Sequence, residues 1–372
     1  MTVRVGLRVP DRQSGGIQRY ADQLDLALGR LGVEVRRTVP FHREVRVAGR
    51  RFLGSTTLAL DPLLRIPGDV THATAYHLNP WRVPADVVTV HDVMNQANPA
   101  RSALGAAALR QDRRFVLRAL RGGHVITDSR HSRDEAVRLF PDDAQPDRMT
   151  PIHLGVDPSV FHPDAGASPA PPQRTPPFAE RRLNVVLFAS VSLQKRVDLV
   201  LQAALQAPFV HLVHAGTTHS WAGHAGFLRE VQALAERLAR QGRYVRIARP
   251  DDHDVRRLLS QADLVVHPSL DEGFGLPPLE ALACGARVLA SDIPPHREVL
   301  QDAARFVAVD ATALLHAFQD AWDGSAVRDS WFPPLRRRLA HAATFTWDRT
   351  AKETLAVYER IDGSRARRRR RP

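Results

Sequence analysis

The stretch Leu264-Val265-Val266-His267-Pro268-Ser269-Leu270-Asp271-Glu272-Gly273-Phe274-Gly275-Leu276-Pro277-Pro278-Leu279-Glu280-Ala281-Leu282-Ala283-Cys284-Gly285 holds a strand, a glycine loop and a helix in one run. Leu264–His267 is a short apolar segment of the kind buried in a parallel sheet. Pro277 and Pro278 suit the first helical turn, where the fixed φ of proline fits. The pattern therefore predicts a helix over Pro277–Cys284, followed by a strand at Val288–Ala290. Gly273 and Gly275 allow close approach of the backbone to a ligand. A helix N-terminus carries partial positive charge and favours a phosphate. Glu272 falls in the loop and Glu280 inside the helix, and carboxylates accept hydrogen bonds from sugar hydroxyls. Each acid alone also has a plain reading, Glu272 as a solvated loop acid and Glu280 as a cap.

The same alternation extends in both directions. On the N-terminal side, Val3–Val9, Val33–Thr38, Val87–Val90 and His124–Thr127 read as strands. Ile17, Tyr20, Ala21, Leu24, Leu28 and Leu31 recur at helical spacing, and Ser102–Leu120 reads as a helix. Residues 163–182 carry six prolines and suit a stiff, irregular linker. Beyond it, strands at Asn184–Val191, His211–Ala215, Val245–Ala248 and Leu264–His267 alternate with helices at Val197–Leu205, Ala225–Gln241 and Asp252–Gln261. Alternation of this kind predicts parallel sheets with helices on both faces. The expected organisation is a Rossmann-like domain over 1–162, the linker, a second such domain over 183–345, a helix over 346–361 and a basic tail over 362–372. The two domains would face each other across a cleft.

Composition narrows the function classes. The 372 residues are 44% hydrophobic and 25% charged, as in a folded protein of two ordinary domains. The single cysteine, Cys284, excludes an intramolecular disulfide framework and a cysteine-rich zinc module. There is no 18-residue apolar run, and the N-terminus lacks the apolar core of a signal peptide. A cytoplasmic protein is the expectation. The formal charge is +12, but six arginines fall in the last eight residues, so much of the basic character belongs to the tail.

Ligands of open parallel sheets bind beyond the carboxyl ends of the strands. The loops there carry Gly15-Gly16, His91-Asp92, Ser190 to Arg196 and Ser269 to Gly275. Glu272 and Glu280, eight positions apart with Gly-Phe-Gly after the first, resemble the signature of the retaining nucleotide-sugar glycosyltransferases of family 4, among the group 1 glycosyl transferases with the GT-B fold. In that family the first acid contacts the donor sugar and the second the ribose. The resemblance places Gly273, Phe274, Gly275 and Leu276 near sugar and diphosphate. Gly15-Gly16 looks like the family's N-terminal glycine pair facing the diphosphate, and Val90-His91-Asp92 like its cleft histidine. Thr127-Asp128-Ser129 and Leu154-Gly155-Val156-Asp157 are similar to later family segments. Lys195 matches the diphosphate-binding lysine. The arginine that many members carry five residues earlier is replaced by Ser190, which leaves Arg196 as a candidate second cation. The matches span roughly residues 15 to 300.

The resemblance thus implies His91, Glu272 and Lys195 as catalytic residues. It puts Gly15, Gly16, Ser190, Arg196, Gly273, Phe274, Gly275, Leu276 and Glu280 on the donor, and Asp92 and Ser129 on the acceptor side. It implies a nucleotide-diphosphate sugar as donor, a sugar, polysaccharide or lipid-linked acceptor, and neither metal nor cofactor. Asp252-His253-Asp254 is a formal Asp-x-Asp metal motif, but Asp251 or Asp252 reads better as a helix cap. The arginines at 110, 113, 114, 118 and 121 suit an ordinary surface helix or peripheral contact with an anionic membrane. The Arg tail has no interleaved aromatic residue, which argues against specific nucleic-acid reading. A Gly-x-Gly-x-x-Gly, a Gly-x-Ser-x-Gly and a His-Glu-x-x-His are all absent. Two alternatives stand beside the transferase: a nucleotide-sugar epimerase of the same fold, and a non-catalytic polyanion-binding protein.

Overall fold

The computed structural model describes residues 4–10, 15–38, 42–47, 50–55, 69–79, 85–102, 104–163, 177–218, 224–323 and 332–369. The chain divides into two compact units. One comprises residues 1–97, 106–155 and 346–372, the other 98–105 and 156–345. Each carries a six-stranded parallel sheet, so the paired α/β organisation read from the sequence is present.

The strands of the first unit are β1 (Arg4–Arg8), β2 (Glu34–Thr38), a hairpin of β3 (His42–Val47) and β4 (Arg50–Ser55), β5 (Val70–Ala73), β6 (Val87–Val90), β7 (His124–Thr127) and β8 (Met149–Pro151). The sheet order is β2-β1-β5-β6-β7-β8, with the hairpin apart from it. All four residues of β6 are buried, as expected where helices cover both faces. The helix Gly16–Arg30 buries Tyr20, Ala21, Leu24, Ala27 and Leu28. Burying one such leucine contributes about 1.5–3 kcal/mol. A buried hydrogen-bonded chain links this helix to the sheet. The Tyr20 hydroxyl and the His72 Nε2 meet Thr89 Oγ1 at 2.9 and 2.8 Å, and His72 Nδ1 meets the Tyr358 hydroxyl at 2.6 Å.

Tyr358 belongs to the last helix, Trp347–Arg369. The expected helix ended at Ile361, with no domain assigned to it. It packs with the first unit: Arg30 pairs with Asp348 at 2.6 Å, and the Thr350 hydroxyl donates to the His153 carbonyl at 2.7 Å. Residues 362–369, expected as part of a separate tail, continue it. The expected linker lies outside the described residues from 164 to 176, as do residues 370–372 of the tail.

The strands of the second unit are β9 (Leu183–Phe188), β10 (Val210–Ala215), β11 (Tyr244–Ile247), β12 (Leu264–His267), β13 (Val288–Ser291) and β14 (Arg305–Val307), in the order β11-β10-β9-β12-β13-β14. The chain winds outward in opposite directions from β9 and β12, which pair directly through Val185–Leu264 and Val186–Val265. Their carboxyl ends therefore flank the point where strand order reverses, the usual place for a ligand in such sheets. Phe188 leads into Ser190–Arg196 and His267 into Ser269–Gly275. Gly216, at the end of β10, has φ +148°, and a Cβ there would lie 2.1 Å from the Ala189 carbonyl oxygen. Only glycine lets the strands close up at this edge.

Candidate active site

In the second unit, two loops 77 residues apart meet at the switch point. The Lys195 ammonium donates to Glu272 Oε1. The same oxygen accepts His267 Nε2–H at 2.9 Å and the Ser269 hydroxyl at 2.6 Å. The loops are also tied through their backbones: Leu270 N–H donates to the Gln194 carbonyl at 2.8 Å, and Gln194 Nε2 to the Asp271 carbonyl at 2.7 Å. Glu272 is 7% exposed. Burial alone would raise its pKa, but the Lys195 charge and the His267 hydrogen bond overcome this and hold it well below the usual carboxylate range. Burial and the Lys195 charge push His267 down despite Glu272, so its ring is neutral and its Nε2 carries the proton.

His296 completes the cluster. Its Nδ1 lies 3.0 Å from the Ser291 carbonyl and 3.1 Å from the Ser291 hydroxyl, and its ring meets that of His267 edge-on at 5.5 Å. Burial, then the neighbouring His267, lowers its pKa to about 4. His267, Glu272 and His296 are residue types that ligate metals, and their ligand atoms lie within 4.8 Å of one another. The Lys195 ammonium, however, already sits on the shared carboxylate oxygen, where it would repel a cation. The other such group, Asp251, His253 and Asp254, belongs to a helix start: Asp251 Oδ1 caps the Asp254 N–H at 2.7 Å, which is the cap reading of the Asp-x-Asp.

Gly275, at φ +91°, is the cap residue of the helix Leu276–Ala283, and a Cβ there would press on His296 at 3.2 Å. Four N–H groups at a helix start lack intrahelical partners. Here Pro277 and Pro278 have none, which leaves those of Gly275 and Leu276. This N-terminus therefore offers fewer N–H groups than a helix start without prolines. Phe274 is buried edge-on against Phe345 at 6.1 Å, and Glu280 is buried at 3% exposure. Ser190 is half-buried just past β9. Arg196 turns away from Lys195. It adopts φ +45° and ψ +46°, a left-handed conformation that costs a non-glycine residue about 1–2 kcal/mol. Its guanidinium binds both oxygens of buried Asp198, at 3.0 and 2.8 Å.

The first unit builds a second constellation at the ends of β5, β6 and β7. His91 Nδ1 lies 2.7 Å from Asp128 Oδ2, and its Nε2 2.9 Å from the Thr74 carbonyl. Both partners only accept, so both ring nitrogens donate and the imidazole is cationic. Burial opposes that charge, but Asp128 prevails and the pKa is raised. Tyr20 packs edge-on against the ring at 5.0 Å. Asp92 accepts from the Met94 N–H at 3.1 Å, and Ser129 caps the next helix by accepting from the Ser132 N–H at 3.0 Å. Gly15, at φ +151°, precedes the helix that opens with Gly16. Sequence reasoning missed Thr74, Asp128, His267, Ser269 and His296 as site residues. For all but His296, which lies in the helix Pro294–Leu300, the signal was position at or just after a strand end, which helps only once strand order is known.

Residues 173–342 match the family model of the glycosyl transferases group 1. The matched segment holds Lys195, Glu272, Glu280 and His296. The chain is 32% identical over 234 residues to D-inositol 3-phosphate glycosyltransferase of Mycolicibacterium paratuberculosis, an alignment covering 61% of this chain and 51% of that protein. The chain thus spans about half the length of the curated relatives it matches. Among solved structures, sucrose-phosphate synthase of Thermosynechococcus elongatus superposes with a TM-score of 0.74 at 19% identity, covering 97% of this chain and 100% of that one. Anabaena HepE, solved with UDP-glucose, gives 0.69 at 15% identity, covering 95% and 100%. These likenesses concern the fold, and the expected GT-B fold class, two α/β domains each with a six-stranded parallel sheet, is present.

Proposed function

We propose that this protein is a glycosyltransferase that moves a sugar from a nucleotide-diphosphate-sugar donor to an acceptor hydroxyl with retention, as a member of family 4. The observation that carries the proposal is the pair of half-buried Lys195 and buried Glu272 beside the Gly273–Gly275 loop, at the switch point of the second sheet. The group 1 match over the same residues and the UDP-glucose held by HepE support it.

In this reading the second unit holds the donor. Lys195 and the N–H groups of Gly275 and Leu276 bind the diphosphate, with Ser190 as a further hydroxyl contact. Glu280 takes the ribose hydroxyls, Glu272 a sugar hydroxyl, and Gly273 and Phe274 shape the sugar's place. The bond between the anomeric carbon and the diphosphate oxygen breaks, and its electron pair stays on the diphosphate. The acceptor oxygen bonds to that carbon, and its hydroxyl proton passes to the leaving diphosphate oxygen. Charge grows on the leaving oxygen, so fixed cations contribute most there. Positioning of the hydroxyl supplies the rest. Within the first unit, His91 donates from both ring nitrogens and so is not free to act as a base. Asp92 and Ser129 lie on the acceptor side. No step needs a metal. The acceptor is a sugar, a polysaccharide or a lipid-linked sugar.

The test is a panel of UDP-, ADP- and GDP-sugars, with release of the nucleoside diphosphate followed with and without acceptor extract, and product stereochemistry read by NMR. Acceptor-dependent release with an unchanged anomeric configuration is expected. Release without acceptor points to the epimerase alternative, and an inverted product overturns retention. No binding of any nucleotide overturns the proposal.

A further inference from the structure

The three hydrogen bonds to Glu272 all end on one oxygen. Lys195 Nζ, His267 Nε2–H and the Ser269 hydroxyl converge on Oε1. A carboxylate offers about four lone-pair sites over its two oxygens, and Oε2 takes none of these three donors. Two of the donors are fixed by the sheet. His267 ends β12 at 2% exposure, and Ser269 follows at 0%. The Ser269 carbonyl is pinned in turn by the Ser291 hydroxyl of β13 at 2.6 Å. The third donor, Lys195, sits on a long, flexible stem.

We propose that His267 and Ser269 are positioning residues: they clamp Oε1 so that Glu272 keeps its place when Lys195 turns to a diphosphate, and they present Oε2 to a hydroxyl of the donor sugar. This rests on the donor-site reading above. A diphosphate carries more charge than one carboxylate oxygen and draws the ammonium. The exchange is favourable only if the carboxylate left behind is still bonded, because an unmatched buried charge is costly. Two neutral donors meet that need, and neither competes for the phosphate. An acceptor-only Oε2 then selects sugars that bear a hydroxyl at that point.

The experiment is a double-mutant cycle of Ser269→Ala and Glu272→Gln, with His267→Gln as the conservative variant and His267→Leu as its contrast, all checked for fold by circular dichroism. Turnover is measured on the donor found in the panel and UDP affinity by calorimetry. Ser269→Ala should lower kcat roughly tenfold to a hundredfold, the worth of one hydrogen bond to a charged group, and leave UDP affinity unchanged. In the Glu272→Gln background the same change should cost almost nothing, since residues acting through one group are not additive. His267→Gln should retain more activity than His267→Leu. Independently of turnover, the carboxyl signal of Glu272 in protein labelled with 13C-glutamate, assigned by its loss in Glu272→Gln, should titrate at higher pH in Ser269→Ala. Equal losses with and without the Glu272 carboxylate, or an unmoved titration, would overturn the positioning role. If no nucleotide sugar is turned over, or Glu272→Gln keeps full turnover, the donor-site reading fails instead, and the titration still decides whether Ser269 holds Glu272.

Discussion

Lys195→Ala should destabilise the second unit and weaken its hold on nucleoside diphosphates. The two side chains of the Lys195–Glu272 pair are 18% and 9% exposed, so solvent screens them little. Breaking a buried pair by removing one partner costs about 3–5 kcal/mol when the remaining charge is left unmatched. Glu272 keeps two donors, His267 at 2.9 Å and Ser269 at 2.6 Å, so the cost falls at about 2–3 kcal/mol. For a unit of this size, that lowers the Tm by roughly 4–12 °C. Adding Glu272→Gln to Lys195→Ala should restore most of the loss, because the stranded charge is gone. Without the ammonium, Glu272 titrates at higher pH, so the deficit should be larger at pH 7 than at pH 5. UDP or ADP binding should weaken by about 1.5–3 kcal/mol, the worth of one charge-assisted hydrogen bond. Differential scanning calorimetry and titration calorimetry measure the two effects. A Tm that neither Lys195→Ala nor the second substitution moves would refute the energetic reasoning, and an unchanged UDP affinity would remove Lys195 from the ligand.

Acid should unfold the protein early. His72, His214 and His296 are buried, with pKa values lowered to about 3, 4 and 4, chiefly by burial. Below about pH 6.5 the unfolded chain binds protons that the folded one refuses. Stability is therefore full above that pH and falls as pH drops toward 4, by about 1.4 kcal/mol per unit for each histidine; a flat urea midpoint between pH 6.5 and 4.5 would contradict this. Arg196→Ala should cost roughly 1–3 kcal/mol by stranding Asp198, yet leave UDP affinity nearly unchanged, since the guanidinium is committed to that carboxylate. An affinity loss as large as that of Lys195→Ala would show that Arg196 swings to the diphosphate. Turnover should persist in EDTA, and its complete loss with recovery on adding manganese would bring Asp251, His253 and Asp254 back as ligands.

Alternation of apolar runs and amphipathic helices was enough to read two α/β domains, because buried parallel strands and their crossover helices leave local signals. Strands such as β5, with two polar residues in four, and the three-residue edges β8 and β14 leave almost none. The destination of the last helix was equally hidden: Tyr358 reaches His72 across 286 residues, and periodicity says nothing of which sheet an apolar face covers. Within the candidate site, Glu272, Gly275 and Glu280 were legible through one compact spacing. Lys195 came from resemblance. The partners of Glu272 were not legible, because a histidine closing a strand and a serine after it look like ordinary core and turn residues until β9 and β12 are known to be neighbours. Arg196 misled for the opposite reason: its adjacency to Lys195 conceals a left-handed turn that hands it to Asp198.

Whether one nucleotide sugar lies across Glu272 and Glu280 is tested most directly by the affinities of the free nucleotide and the full donor in the two alanine variants. Titration calorimetry with UDP and a UDP-sugar, or the nucleotide pair the panel selects, gives four comparisons with wild type. Loss of a matched buried acceptor costs roughly 1–3 kcal/mol. Glu280→Ala should weaken both ligands by that amount, because its carboxylate serves the ribose that both contain. Glu272→Ala should spare the free nucleotide, or tighten it slightly by releasing Lys195, and weaken the sugar-bearing donor. Equal weakening of the free nucleotide by the two substitutions would contradict the account and show that the paired acids do not divide ribose and sugar between them.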